Sequence, residues 1–154
     1  MSHAPPNPSM PTGLGEYQCS LGQWQFSADA QVEGISRAHI ADALAKDASP
    51  CRVDDVVATV SELVANAVVH ARSELNVLLE KWQNMIVVAV EDLSRIPPVV
   101  QTIDHFAESG RGLQIVESVS DDWGYDLTDD GKRVWAGFYF DCDCVDDEHA
   151  PVPN

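Results

Sequence analysis

The chain has 154 residues, 45% of them hydrophobic, and sets 9 lysines and arginines against 25 aspartates and glutamates for a formal charge of −16. One domain of this length removes about two-thirds of its unfolded surface from water, which excludes wholesale disorder. Nine scattered cations supply no basic patch for a phosphate backbone, which argues against direct nucleic-acid binding.

Residues 1–15 hold four prolines and two glycines with few large apolar groups, and they read as a flexible arm. The opening MSHAPPNPSMPTG lacks the charged and apolar regions of a signal peptide, and no run of about 18 apolar residues follows, so a cytoplasmic protein without a membrane span is expected. The globular part is expected over residues 16–140. Tyr17 to Phe26 alternates loosely as a partly exposed strand, and Ile35, Ile40, Ala43, Leu44 and Ala48 recur at helical spacing until Ser49-Pro50.

The strongest helical pattern runs from Cys51 or Arg52 to about Ala71. Val53, Val57, Val60, Val64, Ala67 and Ala71 form an apolar stripe, with Asp55, Thr59, Glu62, Asn66 and His70 on nearly the opposite side. Two strand-like runs, Leu75 to Leu79 and Ile86 to Val90, form a hairpin around residues 80–84. Pro97-Pro98 opens a loop that lasts to Gly112, and a helix with Leu113, Ile115, Val116 and Val119 on its apolar face ends at Asp121-Asp122. Two last strands, Trp123 to Leu127 and Arg133 to Phe140, meet at a turn signalled by Asp130-Gly131. Residues 141–154 carry five carboxylates and two prolines, an acidic flexible tail. Cys142 and Cys144 there fit no standard zinc spacing, and in a reducing compartment Cys19, Cys51, Cys142 and Cys144 are expected as thiols. The element order predicts a two-layer α/β sandwich, a mixed, mainly antiparallel sheet with helices on one face.

Three features carry chemistry. Glu62 and Asn66 lie four apart on one helix side, a general base next to a neutral oxygen ligand for Mg²⁺, or else a solvent-facing stripe. That side has no basic partner four residues after Asp55 or Glu62, the usual dressing of a solvated face. Asp92 ends an apolar strand, where a carboxylate accepts a hydrogen bond from a ligand amino group or forms a turn. Gly110-Arg111-Gly112 opens a helix, where backbone amides cradle an anion or merely act as a hinge.

In this order, and followed by Gly131-Lys132-Arg133-Val134-Trp135-Ala136, these features resemble the GHKL (Bergerat-fold) histidine-kinase-like ATP-binding domain, and most of all the stand-alone anti-sigma-factor serine kinases of actinobacterial type. SELVANAVVHA is the specific stretch, VEDLSRIPP and ESGRGLQIVESVSDDWG support it, and the similarity spans about Tyr17 to Phe140. The resemblance implies ATP and Mg²⁺ as cofactors, Glu62 as base, Asn66 as Mg²⁺ ligand, Asp92 as adenine contact, and Gly110, Arg111 and Gly112 as a lid over the phosphates. It further implies a serine/threonine-protein kinase that regulates transcription by binding a sigma factor and phosphorylating a STAS-type anti-anti-sigma protein, with homodimers common among such proteins. A non-catalytic, ATP-dependent binding module is the alternative, as is an acidic interaction domain that binds no nucleotide. Two departures stand out: the family's Asp-x-Gly-x-Gly box reads Asp92-Leu93-Ser94-Arg95-Ile96, and Lys132 and Arg133 replace a threonine common near the start of the last strand.

Overall fold

The computed structural model describes residues 11, 13–47, 52–98 and 111–140. β-Branched runs build its centre. Leu75–Trp82 (β2) and Met85–Asp92 (β3) pair antiparallel around a two-residue turn, Gln83-Asn84. Both strands outlast their apolar runs, since ladder hydrogen bonds satisfy the backbone whatever the side chains are. Tyr17–Phe26 (β1) pairs with β2, Lys132–Tyr139 (β5) pairs with β3, and Asp122–Leu127 (β4) lies outside β5. The five-stranded order is β1-β2-β3-β5-β4, antiparallel at each pairing. The sheet is thus antiparallel throughout, the mainly antiparallel character expected without the parallel pair that a mixed sheet would have.

Helices Val32–Lys46 (α1), Val53–Asn66 (α2) and Arg111–Val119 (α3) form the second layer, with α2 packed against both others. Their core includes Ile40, Leu44, Val60, Val64 and Val116 against Val77, Val88, Ala136 and Phe138 of the sheet. Alternation sends Met85, Val87 and Ala89 to the opposite face, where Leu14 and Trp135 complete a second buried cluster. A central strand covered on both faces has to be apolar throughout, which accounts for the unbroken MIVVAV. Leu14 belongs to the Pro-rich segment read as an arm, and here its carbonyl accepts from the Asn84 amide at 2.9 Å. The rest of that segment up to residue 10, and the tail from residue 141 with Cys142 and Cys144, lie outside the described residues, as does Cys51.

Two helix faces are rotated from their expected positions. In α2 the buried side comprises Val56, Thr59, Val60, Ser61, Leu63, Val64 and Ala67, so Thr59 leaves the polar stripe and is fully buried. In α1 Ser36 is buried and Ile35 is 43% exposed. The helix layer packs on the sheet and on neighbouring helices together, which a single-stripe pattern ignores, and Ser61 of α2 shows it by donating from Oγ to Glu33 of α1 at 2.5 Å. α2 ends in a π-helical turn, Ala67–Ala71, where the Arg72 amide donates to the Ala67 carbonyl at 3.0 Å. Arg72, at φ 53°, stops the helix in the left-handed conformation. Among the described residues no helix is long and apolar enough to cross a membrane.

Candidate functional site

A cavity of about 340 Å³ opens where the end of α2, the carboxyl end of β3, the first residues of β5 and the first turn of α3 converge. Its walls are apolar: Leu63 and Ala67 from α2, Val90 and Val134 from the sheet, Leu113 from α3, and Ile96, Pro97 and Pro98 from the loop after β3. Its polar groups are Asn66, His70, Asp92, Ser94 and Lys132. Volume and composition match a small-molecule site, in which flat apolar walls hold the ligand and a few polar groups orient it.

Asp92 ends β3 on the same face as Val88 and Val90, so alternation delivers its carboxylate to the cavity. The Ser94 amide donates to Asp92 Oδ1 at 2.8 Å, an Asx-type turn that fixes the carboxylate. The same loop is held by the Ile96 amide on Ser94 Oγ at 3.3 Å and by the Arg95 guanidinium on the Thr128 carbonyl. These contacts stiffen a turn that has no glycines. Across the ladder Lys132 stands opposite Asp92, and its Nζ lies 3.1 Å from each carboxylate oxygen and 3.4 Å from the Ser94 carbonyl. Both partners are buried.

Asn66 and Asp92, far apart in sequence, thus line one cavity. Glu62 sits one helical turn before Asn66, half-buried and outside the cavity wall. Burial raises its carboxyl above the usual carboxylate range, and the negative charge of Glu33 on α1 adds to this. Glu33 is itself fixed, accepting from Ser61 Oγ at 2.5 Å and from Arg37 Nη1 at 3.0 Å. Arg111 and Gly112 open α3, whose Leu113 reaches the cavity, while Gly110 lies outside the described residues. Sequence reasoning missed Lys132 as a cavity residue, naming it only as the replacement for a threonine. It also missed the wall formed by Ile96, Pro97 and Pro98, reading the double proline only as the start of a loop.

The residues present fit a purine nucleotide at the base end: apolar walls to sandwich a ring, and at their end a fixed carboxylate as acceptor. Among the described residues no cluster of three or more His, Cys, Asp or Glu side chains is placed to hold a metal. Mg²⁺ bound here would draw on the Asn66 amide oxygen, nucleotide phosphates and water, all hard oxygen ligands that suit it.

Fold and cavity together define a two-layer α/β domain with a ligand site between its helices and one end of its sheet. The family model described as "Histidine kinase-like ATPase domain" matches residues 26–138, well over half of the chain, and the chain belongs to that family. Among solved structures it resembles the RsbU and RsbW domains of Rv1364c from Mycobacterium tuberculosis, with a TM-score of 0.53 and 17% identity. The match covers 76% of this chain and 32% of that one, so the chain spans about a third of the larger protein's length, and at this identity the likeness concerns the fold. A search of curated proteins found no match.

Proposed function

We propose that this chain is an ATP- and Mg²⁺-binding regulator of the anti-sigma-factor kinase type, which binds a sigma factor and phosphorylates a serine or threonine of a STAS-type anti-anti-sigma protein. The observation that carries this reading is the convergence of Asn66 and Asp92 on one apolar-walled cavity within a histidine kinase-like ATPase domain. The resemblance to a structure containing an RsbW domain supports the regulatory part.

Asp92 orients the base, and the walls from Leu63, Val90 and Leu113 exclude water from it. When bound, the nucleotide supplies the phosphoryl group and Mg²⁺ offsets the charge on its phosphates, so positioning and charge neutralisation are most of what the protein has to provide. Asn66 would offer its side-chain amide oxygen to the metal. Arg111 and Gly112 open α3, whose N-terminus would favour the phosphates of a bound nucleotide, and a lid role for Gly110 rests on the sequence resemblance alone. Glu62 takes the proton of the partner's hydroxyl, a task that its raised affinity for protons suits. A second reading keeps ATP binding and drops transfer, leaving a nucleotide-dependent protein-binding module. The glycine-free turn after Asp92 and the absence of the family's threonine, with Lys132 and Arg133 in its place, favour it.

Titration with ATP, with and without Mg²⁺, tests the shared part by calorimetry or tryptophan fluorescence. The expected result is saturable, Mg²⁺-assisted binding that Asn66→Ala weakens at least about tenfold, the size of one lost charge-assisted contact. No binding by the parent protein would refute both readings. Transfer of label from ATP to a partner serine, abolished in Glu62→Ala, separates the kinase from the binding module.

A further inference from the structure

We infer that Lys132 sets the base selectivity of the cavity and makes it accept 6-oxopurine nucleotides, ITP and GTP, alongside ATP. The inference rests on the reading of the cavity as a nucleotide site. It starts from the buried pair at its end: Lys132 and Asp92 face each other across β3 and β5, and both line the cavity.

A carboxylate is acceptor only. Standing alone in a purine site it welcomes the amino group at C6 of adenine and repels the carbonyl oxygen that a 6-oxopurine carries at the same place. The buried ammonium changes that balance in two ways. First, it shares the carboxylate, since Nζ is 3.1 Å from both Oδ1 and Oδ2, and Oδ1 also accepts from the Ser94 amide at 2.8 Å. Oδ2 keeps one lone pair for a ligand donor, whether the amino group of adenine or the N1–H of a 6-oxopurine. Second, an ammonium has three N–H bonds and meets two partner groups among the described residues, the Asp92 carboxylate and the Ser94 carbonyl at 3.4 Å. The remaining N–H is available to an acceptor in the cavity.

A donor and an acceptor side by side match either purine edge. The 6-oxo edge presents C=O next to N1–H, so its oxygen accepts from Lys132 while N1–H donates to Asp92, and both bonds are charge-assisted. The adenine edge presents an amino group next to the N1 acceptor and is read with the same pair exchanged. A site that hydrogen-bonds one edge only rejects the other by orders of magnitude, because a buried polar group is left facing a like one. With Lys132 in place that penalty disappears.

The test is calorimetric titration of the full chain with ATP, ITP and GTP in Mg²⁺, for the parent protein, Lys132→Met and Lys132→Thr. Met keeps the apolar stem and Thr is the residue common in the family, and thermal unfolding of each variant reports whether it is folded. ITP serves as the reference because it lacks the 2-amino group of GTP. The parent is expected to bind ITP within about tenfold of ATP, and the variants to shift the ratio toward ATP by about 100-fold, the loss typical of an unmatched buried hydrogen-bonding group. A parent that prefers ATP over ITP by more than about 100-fold overturns the inference whatever the variants do, as does a ratio unchanged in folded variants. Failure of every nucleotide to bind the parent would instead overturn the nucleotide reading beneath it.

Discussion

Gly131 sits where the β4–β5 turn passes the end of β3, and it is glycine because nothing larger fits. A Cβ there would lie 1.8 Å from the Asp92 carbonyl oxygen and 2.7 Å from Leu93 Cα, both backbone atoms that cannot swing aside. The Asp-Gly signal thus marks a turn correctly, and the need for glycine comes from close approach. Gly131→Ala is expected to lower stability by about 2–3 kcal/mol, the cost of overpacking, and to displace the Asp92 carboxylate with it. Denaturant unfolding checks the first effect and nucleotide titration the second. A variant as stable as the parent would mean that the turn can move away from β3. Glu62 is the other residue whose environment has a measurable consequence. Its folded-state proton affinity is raised by burial and by Glu33, so ionisation is disfavoured in the folded chain. The raised group favours folding below its unfolded value, and the benefit fades as pH climbs through the folded value. Glu62→Gln, which removes the charge, is therefore expected to unfold at higher temperature than the parent at pH 7 and at the same temperature near pH 4. Solvent screens a half-buried side chain, so the gain should be at most about 0.5 kcal/mol. A gain that persists unchanged into acid would point to packing and not to charge.

At the scale of elements, the start of α2 is held by one arginine. Arg52 adopts φ 82°, a left-handed conformation that costs a non-glycine residue about 1 kcal/mol or more. Its side chain repays the strain by joining three elements: Nη2 donates to the Val119 carbonyl at 2.7 Å at the end of α3, Nη1 pairs with Asp121, Nε reaches Asp55 Oδ2 at 3.4 Å, and the guanidinium lies over the Phe138 ring of β5. Arg52→Ala keeps the strain and loses these contacts, so a loss of about 2–3 kcal/mol is expected. Arg52→Gly, which relaxes the backbone, should recover about 1 kcal/mol of it. Equal stability of the two variants would show that the strain is not real. None of this network is legible in the sequence, because its partners are fixed by how α2, α3 and the sheet pack. What could be read locally was read well: the period of α2, the β2–β3 hairpin and the helix that opens near Gly112. Thr59 was misplaced because α2 is apolar on several sides and periodicity alone does not say which one meets the sheet. Lys132 was missed for a different reason, since its meeting with Asp92 depends on the β3–β5 register between segments forty residues apart.

For the molecule as a whole, the governing quantity is charge. The ion pairs that bridge elements, Lys81 with Asp47 at 3.0 Å and Arg133 with Glu80 at 3.8 Å among them, consume cations that number only 9 against 25 carboxylates. The excess of −16 is left to repel itself, and compaction brings those charges closer together. Local pairs and global repulsion respond to salt in opposite ways: screening weakens exposed pairs, each worth little, and relieves repulsion summed over the whole surface. The bridges nearest the cavity are the most protected, since Lys132 and Asp92 are buried and screening reaches them least. Net repulsion should therefore win. Raising NaCl from about 0.01 M to about 0.15 M shortens the Debye length from about 30 Å to about 8 Å, and the midpoint of thermal unfolding is expected to rise by about 3–5 °C over that range and to level off beyond it. The measurement belongs in buffer free of nucleotide and divalent cations, whose binding would raise the midpoint by mass action. A midpoint that falls with salt would mean that the inter-element ion pairs outweigh the sixteen-charge excess, and that the acidic surface is organised around specific contacts and not merely tolerated.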